Sequence, residues 1–198
     1  MRVDVALVAE DVLSLAVMRK VIEHTGRDYQ IVRTLNEKGV GNIRKALDKY
    51  RNASYALAHV VLVDLDDAEC PPLLREQWGV VNLPDAMLFR VAVREIESWV
   101  LADRDGFSAF FGVAVNKITQ DPESLQDPKQ SLINIVRKGR NRKLITEIVP
   151  AQGVPMSKGP LYNERLTEFV TDVWDVDKAI SSAPSLRRTF ERLQIFLQ

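Results

Sequence analysis

Over roughly its first half the chain alternates short runs of β-forming residues with stretches of helical periodicity, and no other feature narrows the fold as much. VDVALVA (3 to 9) reads as a continuous apolar strand, and Leu13, Val17, Val21 and Ile22 then recur at helical spacing up to the stop signal Thr25-Gly26. YQIVRT (29 to 34) reads as a second strand, GNIRKALDKYR (41 to 51) as a second helix, HVVLVDL (59 to 65) as a third strand and AMLFRVAV (86 to 93) as a fourth. Strands fed by helices pair in parallel, because a parallel neighbour is reached only by a long crossover, and the crossover is usually a helix. From about Phe107 onward only helical periodicity remains, as in SLINIVRK (131 to 138), NERLTEFVTDVW (163 to 174) and LRRTFERLQIFL (186 to 197). The expected fold class is therefore α/β: a mostly parallel sheet of about four strands flanked by helices over residues 1–105, with a helical extension over 106–198 packed on it.

Composition limits the function classes. Of 198 residues, 46% are hydrophobic and 27% charged, enough to bury a core, and Lys plus Arg balance Asp plus Glu at 27 each. No overall charge draws the chain to nucleic acid or anionic lipid, so any such affinity must come from a local patch. No stretch approaches the roughly 20 apolar residues of a membrane span. The first residues, MRVDVALVAEDVLSL, carry acids within their apolar run and do not read as a signal peptide. A single cysteine, Cys70, cannot form an internal disulfide, and with only two histidines it builds no zinc site of the usual kind. The expected location is the cytoplasm.

In an open parallel sheet, ligands collect outside the carboxyl ends of the strands. Two strands end in acid: VAEDV delivers Glu10 and Asp11, and VVLVDLDDAEC (60 to 70) delivers Asp64, Asp66 and Asp67. Side chains of an extended segment alternate, so Asp64 and Asp66 are expected on one side, with Leu65 pointing away. Glu10 beside them makes a third negative charge, and unpaired carboxylates at such distances repel. A divalent cation relieves the repulsion, and oxygen-only ligands suit Mg²⁺ or Mn²⁺. Acids in these places also cap helix N-termini, the alternative for Asp11 and Asp67.

An acid closing VALVAED followed by a DxD closing VVLVDLD resembles the TOPRIM domain of topoisomerases, primases, recombination factors and nucleases related to the overcoming-lysogenization-defect protein. FRVAVREIESWVLAD (89 to 103) also resembles a segment of an uncharacterised bacterial family of small TOPRIM-like proteins, some encoded beside AAA-type ATPases. The resemblance spans roughly residues 3 to 103. It implies a TOPRIM/Rossmann-like sheet, Glu10 as general acid/base, and Asp64 and Asp66 as magnesium ligands, with Glu10 and Asp67 as further candidate ligands. It also implies an AAA-type ATPase as a partner. The chain departs from the family pattern at Asp11, where a glycine is usual.

Within REIESWVLAD, Ile96, Trp99, Val100 and Asp103 share one helical stripe, so Trp99 is expected in the core. Glu95 and Glu97 flank that stripe from opposite sides and should not reach one metal together. Glu97 is a candidate for a second metal, or simply an acid in a helix's first turn. RKGRNRK (137 to 143) gathers Arg137, Lys138, Arg140, Arg142 and Lys143 and is the one strong positive focus. It reads as a sequence-independent contact to the phosphates of DNA or RNA, or as a solvated helix end. In the tail, Leu186, Phe190, Leu193 and Leu197 form a stripe that covers the chain's own sheet or, in a homodimer or a hetero-complex, a neighbour's. His24 and His59 read as structural. GVG (39 to 41) lacks the GK[ST] of a P-loop. Three function classes follow: a metal-dependent nucleic-acid phosphodiesterase, such as a nuclease in a bacterial defence or DNA-processing system; a response-regulator-like phosphoacceptor using Asp64; and a non-catalytic partner subunit.

Overall fold

The computed structural model describes residues 2–153 and 155–198. Its contacts divide the chain into two units: the residues up to Val93 together with Ser185–Gln198, and Arg94–Pro184 between them. Contacts thus divide near Val93, not at the expected boundary near residue 105. The last helix, expected in the extension, belongs to the first unit.

The first unit is α/β. Its strands are β1 (Val3–Ala9), β2 (Tyr29–Asn36), β3 (Ala58–Asp64) and β4 (Met87–Ala92), all parallel in the order β2-β1-β3-β4. The helices α1 (Val12–His24), α2 (Val40–Ala53) and α3 (Pro71–Gln77) make the crossovers. β3 is buried at every position, as a central parallel strand covered on both faces must be, whereas the outer strand β2 is largely exposed. Its register against β1 shifts between Val5 and Ala6, a bulge that leaves one residue of β2 unpaired.

α1 starts where Asp11 accepts a hydrogen bond from the Ser14 amide at 2.8 Å, and it stops at Thr25 and Gly26, whose φ of 66° suits the residue without a side chain. One face of the sheet buries Val8, Val61, Val63, Phe89 and Val91 against Ile43 and Leu47 of α2 and Leu74 of α3. Residues alternate across a strand, so Arg90 points the other way from Phe89 and Val91, toward the final helix. That helix is numbered α10 (Pro184–Ile195) because α4 to α9 intervene. It buries Leu186 and Leu193, sets Phe190 5.7 Å from the His24 ring, and accepts hydrogen bonds from Arg27 and Tyr29 at the Leu193 carbonyl. The apolar stripe read from the tail therefore covers its own unit.

The second unit is helical: α4 (Ile96–Ala102), α5 (Arg104–Phe111), α6 (Pro128–Arg137), α7 (Arg142–Ile148), α8 (Tyr162–Asp172) and α9 (Val176–Ser182), with two short 3-10 turns between α5 and α6. Among the described residues no strand follows β4. Every residue of α4 is buried, so the apolar stripe expected there is one side of a helix enclosed all round. Trp99 is fully buried, and its carbonyl accepts from the Trp174 indole at 3.1 Å. Asp103 joins the ends of three helices: one carboxylate oxygen accepts from the Gly106 amide of α5 and the other from the Asp175 amide that precedes α9. Phe107, Phe111 and Phe169 pack as a ring cluster with centroids 4.3 to 5.7 Å apart.

Candidate functional site

The order β2-β1-β3-β4 places a topological switch between β1 and β3, since the chain leaves β1 toward one edge through β2 and returns to the other side of β1 as β3. Loops leaving two such strands diverge to opposite faces and open a crevice at their carboxyl ends, where α/β sheets bind ligands. β1 leads into Glu10 there, and β3 ends at Asp64. Glu10 is half-buried, and its carboxylate makes no hydrogen bond or ion pair among the described residues, while its carbonyl accepts from the Gly39 amide at 3.1 Å. Asp64 is a buried carboxylate, 4% exposed.

Asp66 and Asp67 lie beyond the end of the strand. β3 ends at Asp64, Leu65 is still buried, and Asp66 adopts φ 49° in an exposed turn, so strand alternation no longer governs where its side chain goes. Asp67 is exposed in the same turn. Among the described residues no group of three or more His, Cys, Asp and Glu side chains comes together to hold a metal ion. The three-carboxylate cradle inferred from VAED and VDLDD is accordingly not assembled. Asp11 is the N-cap of α1, and its φ of −146° is ordinary extended backbone, so it sits without strain.

Glu97 lies in the second unit and is committed there. It is 1% exposed, one carboxylate oxygen accepts from the Tyr162 hydroxyl at 2.8 Å, and the Lys129 ammonium stands 3.7 Å from that same oxygen. Lys129 also pairs with Glu95 at 3.1 Å, and the Glu95 carboxylate accepts from the Lys129 amide as well. Glu95 and Glu97, expected to diverge, thus converge on one cation, Lys129. Burial lifts the Glu97 carboxyl to about 7, against the lowering effect of Lys129 and with a further push from Glu95. Its other oxygen is buried without a hydrogen-bond partner. Lys129 and Tyr162 lie 32 and 65 residues away in sequence, and nothing local to Glu97 announces them.

The five cations at 137 to 143 are all exposed, spread from the end of α6 across a turn to the first two residues of α7. None forms an ion pair among the described residues; Arg137 donates to the Asn134 side chain at 3.2 Å. Arg137 and Lys138 suit the carbonyl end of α6, but Arg142 and Lys143 stand at the amide end of α7, where positive charge is unfavourable. The helix-end explanation therefore covers only Arg137 and Lys138 of the five. His59 is buried, with Nδ1 2.6 Å from the Leu57 carbonyl, and serves structure.

These elements define an all-parallel α/β domain whose two central strands flank a topological switch, and a helical unit. No family model matches the chain, no curated protein matches it, and no solved structure matches it. Among the described residues no helix is long and apolar enough to cross a membrane.

Proposed function

We propose that the chain is a metal-assisted phosphodiesterase acting on nucleic acid, with its chemistry at the carboxyl edge of β1 and β3. The observation that carries this reading is the placement of two acids, Glu10 and Asp64, at the ends of adjacent central strands that flank the switch point. A preformed three-carboxylate cage is not available, but magnesium commonly takes one or two carboxylates and completes its shell with water and substrate phosphate. Asp64, with Glu10, would hold it, and a bound ion would offset charge developing on the phosphate. The half-exposed Glu10 carboxylate is the group able to move a proton to or from water at the phosphate. The exposed cations at 137 to 143 are the candidate contacts to the nucleic-acid backbone. The resemblance of VAED, VDLD and the 89 to 103 segment to TOPRIM-like sequences supports the same reading, including an AAA-type ATPase as partner.

The phosphoacceptor reading keeps one supporting fact, an Asp ending β3 beside the switch. It also needs a hydroxyl residue after β4 and a lysine after a fifth strand. β4 is instead followed by Val93, Arg94 and Glu95, and the sheet has four strands among the described residues.

Supercoiled DNA, single-stranded DNA and RNA incubated with Mg²⁺ or Mn²⁺ test the proposal. Wild type should nick or cut at least one of them, while Glu10→Gln and Asp64→Asn should each lose about 100-fold or more in rate with their melting curves intact. Cleavage that survives in Asp64→Asn, or none by wild type on any substrate, overturns it. Covalent labelling of Asp64 by acetyl phosphate without cleavage selects the phosphoacceptor instead.

A further inference from the structure

A second site stands on the first unit, along the outer strand β4. A cavity of about 520 Å³ is lined by Arg75, Arg90 and Arg192 together with Leu83 and Asp85, and an adjoining one of about 300 Å³ is lined by Arg75, Arg90 and Arg188. Four guanidinium groups thus converge from α3, β4 and α10, and none of them forms an ion pair among the described residues. Arg75 is held in place by donating to the carbonyls of Phe89 and Val80, both at 3.0 Å. Arg90 donates its Nε to Thr189 at 3.1 Å, which leaves both of its terminal NH₂ groups for a ligand.

Arg188 and Arg192 are exposed and lie four apart on α10, so they share a helix face as like charges and destabilise it. Glu191, on the same helix, forms no ion pair with either of them. Burial holds Arg90 below the usual arginine range, at about 10, and the guanidinium groups of Arg75, Arg188 and Arg192 add to the depression. Four cations border two cavities whose lining includes one acidic side chain, Asp85, and the last residue, Gln198, so positive side-chain charge is in excess there. Planar guanidinium forks grip phosphate oxygens in pairs, and the larger cavity is within the size range of small-molecule sites.

We propose that this face binds a soluble phosphate-bearing small molecule with two or more negative charges, of the nucleoside diphosphate class, through Arg75, Arg90, Arg188 and Arg192. The site is separate from the β1/β3 crevice and does not depend on that reading. Arg75 and Arg90 set the anion's position, being fixed by their backbone and Thr189 hydrogen bonds. Arg188 and Arg192 close over it from solvent.

Calorimetric titration of the full chain with ADP, pyrophosphate and adenosine, at fixed ionic strength, tests this. Wild type should bind ADP and pyrophosphate and not adenosine. The double variant Arg188→Ala/Arg192→Ala keeps the half-buried pair Arg75 and Arg90, should melt no lower than wild type without ligand because a repulsion is gone, and should lose about 10-fold or more in ADP affinity. Lys45→Ala/Lys49→Ala, exposed on α2, should leave ADP affinity unchanged. No ADP binding by wild type up to about 10 mM overturns the proposal, as does equal affinity for adenosine. So does a double variant within about twofold of wild type.

Discussion

At the scale of the residue, Glu97 shows how burial decides chemistry. Burial in the enclosed helix α4 takes its charge out of water and pushes its carboxyl up from an ordinary 4.5 to about 7. Between those values the folded state holds a proton that the unfolded state has released, so stability falls as pH rises through the window and levels off above it. A shift of this size corresponds to roughly 3 kcal/mol. Glu97→Gln keeps an acceptor for Tyr162 and never acquires the buried charge. Measured by denaturant unfolding from pH 5 to 8, the variant should gain on wild type as pH rises, with the difference flattening above 7. A difference that does not vary with pH would show that the Glu97 carboxylate stays ionised throughout. Asp103 is the contrasting acid: equally buried, it accepts two backbone amides and needs no cation.

At the scale of the element, the loop before α8 is held by a close approach that only glycine permits. A Cβ at Gly159 would lie 2.5 Å from the Glu147 carbonyl oxygen and 2.5 Å from the Ile148 carbonyl carbon, and both belong to α7 backbone that cannot step aside. The same strand of chain ties itself to that helix end through the Gly159 amide on the Ile148 carbonyl and the Leu161 amide on the Glu147 carbonyl. Gly159→Ala should therefore cost about 1–3 kcal/mol by overpacking. Gly41, in α2, has nothing within 4 Å of where its Cβ would be, so Gly41→Ala should be neutral or stabilise by up to about 1 kcal/mol. Thermal melts of the two variants should move apart; a Gly159→Ala protein that melts with wild type would mean the loop relaxes freely.

At the scale of the whole molecule, a chain with as many acids as bases offers nucleic acid only local positive charge. Each phosphate neutralised releases counterions, and the slope of log K against log salt changes by about 0.9 per contact on duplex DNA. Replacing Arg140, Arg142 and Lys143 by Ala should weaken oligonucleotide binding equally for all sequences and flatten that slope by up to about 3. Slope and affinity both unchanged would remove the cluster from the interface.

The periodicities of VDVALVA, YQIVRT, HVVLVDL and AMLFRVAV were sufficient by themselves to determine the parallel α/β class, because pleat and crossover are local or nearly local constraints. The acids at the ends of β1 and β3 were legible for the same reason. The strand's end at Asp64, which frees Asp66 from strand alternation, was not, since a single positive φ cancels the alternation and no periodicity announces it. Only tertiary structure brought Lys129 and Tyr162 to Glu97, returned α10 to the sheet it covers, and gathered Arg75 and Arg90 with Arg188 and Arg192 across about a hundred residues of chain. Contacts between residues so far apart in sequence follow from how helices and strands pack, and the residues that meet carry no mark of it in their own neighbourhoods.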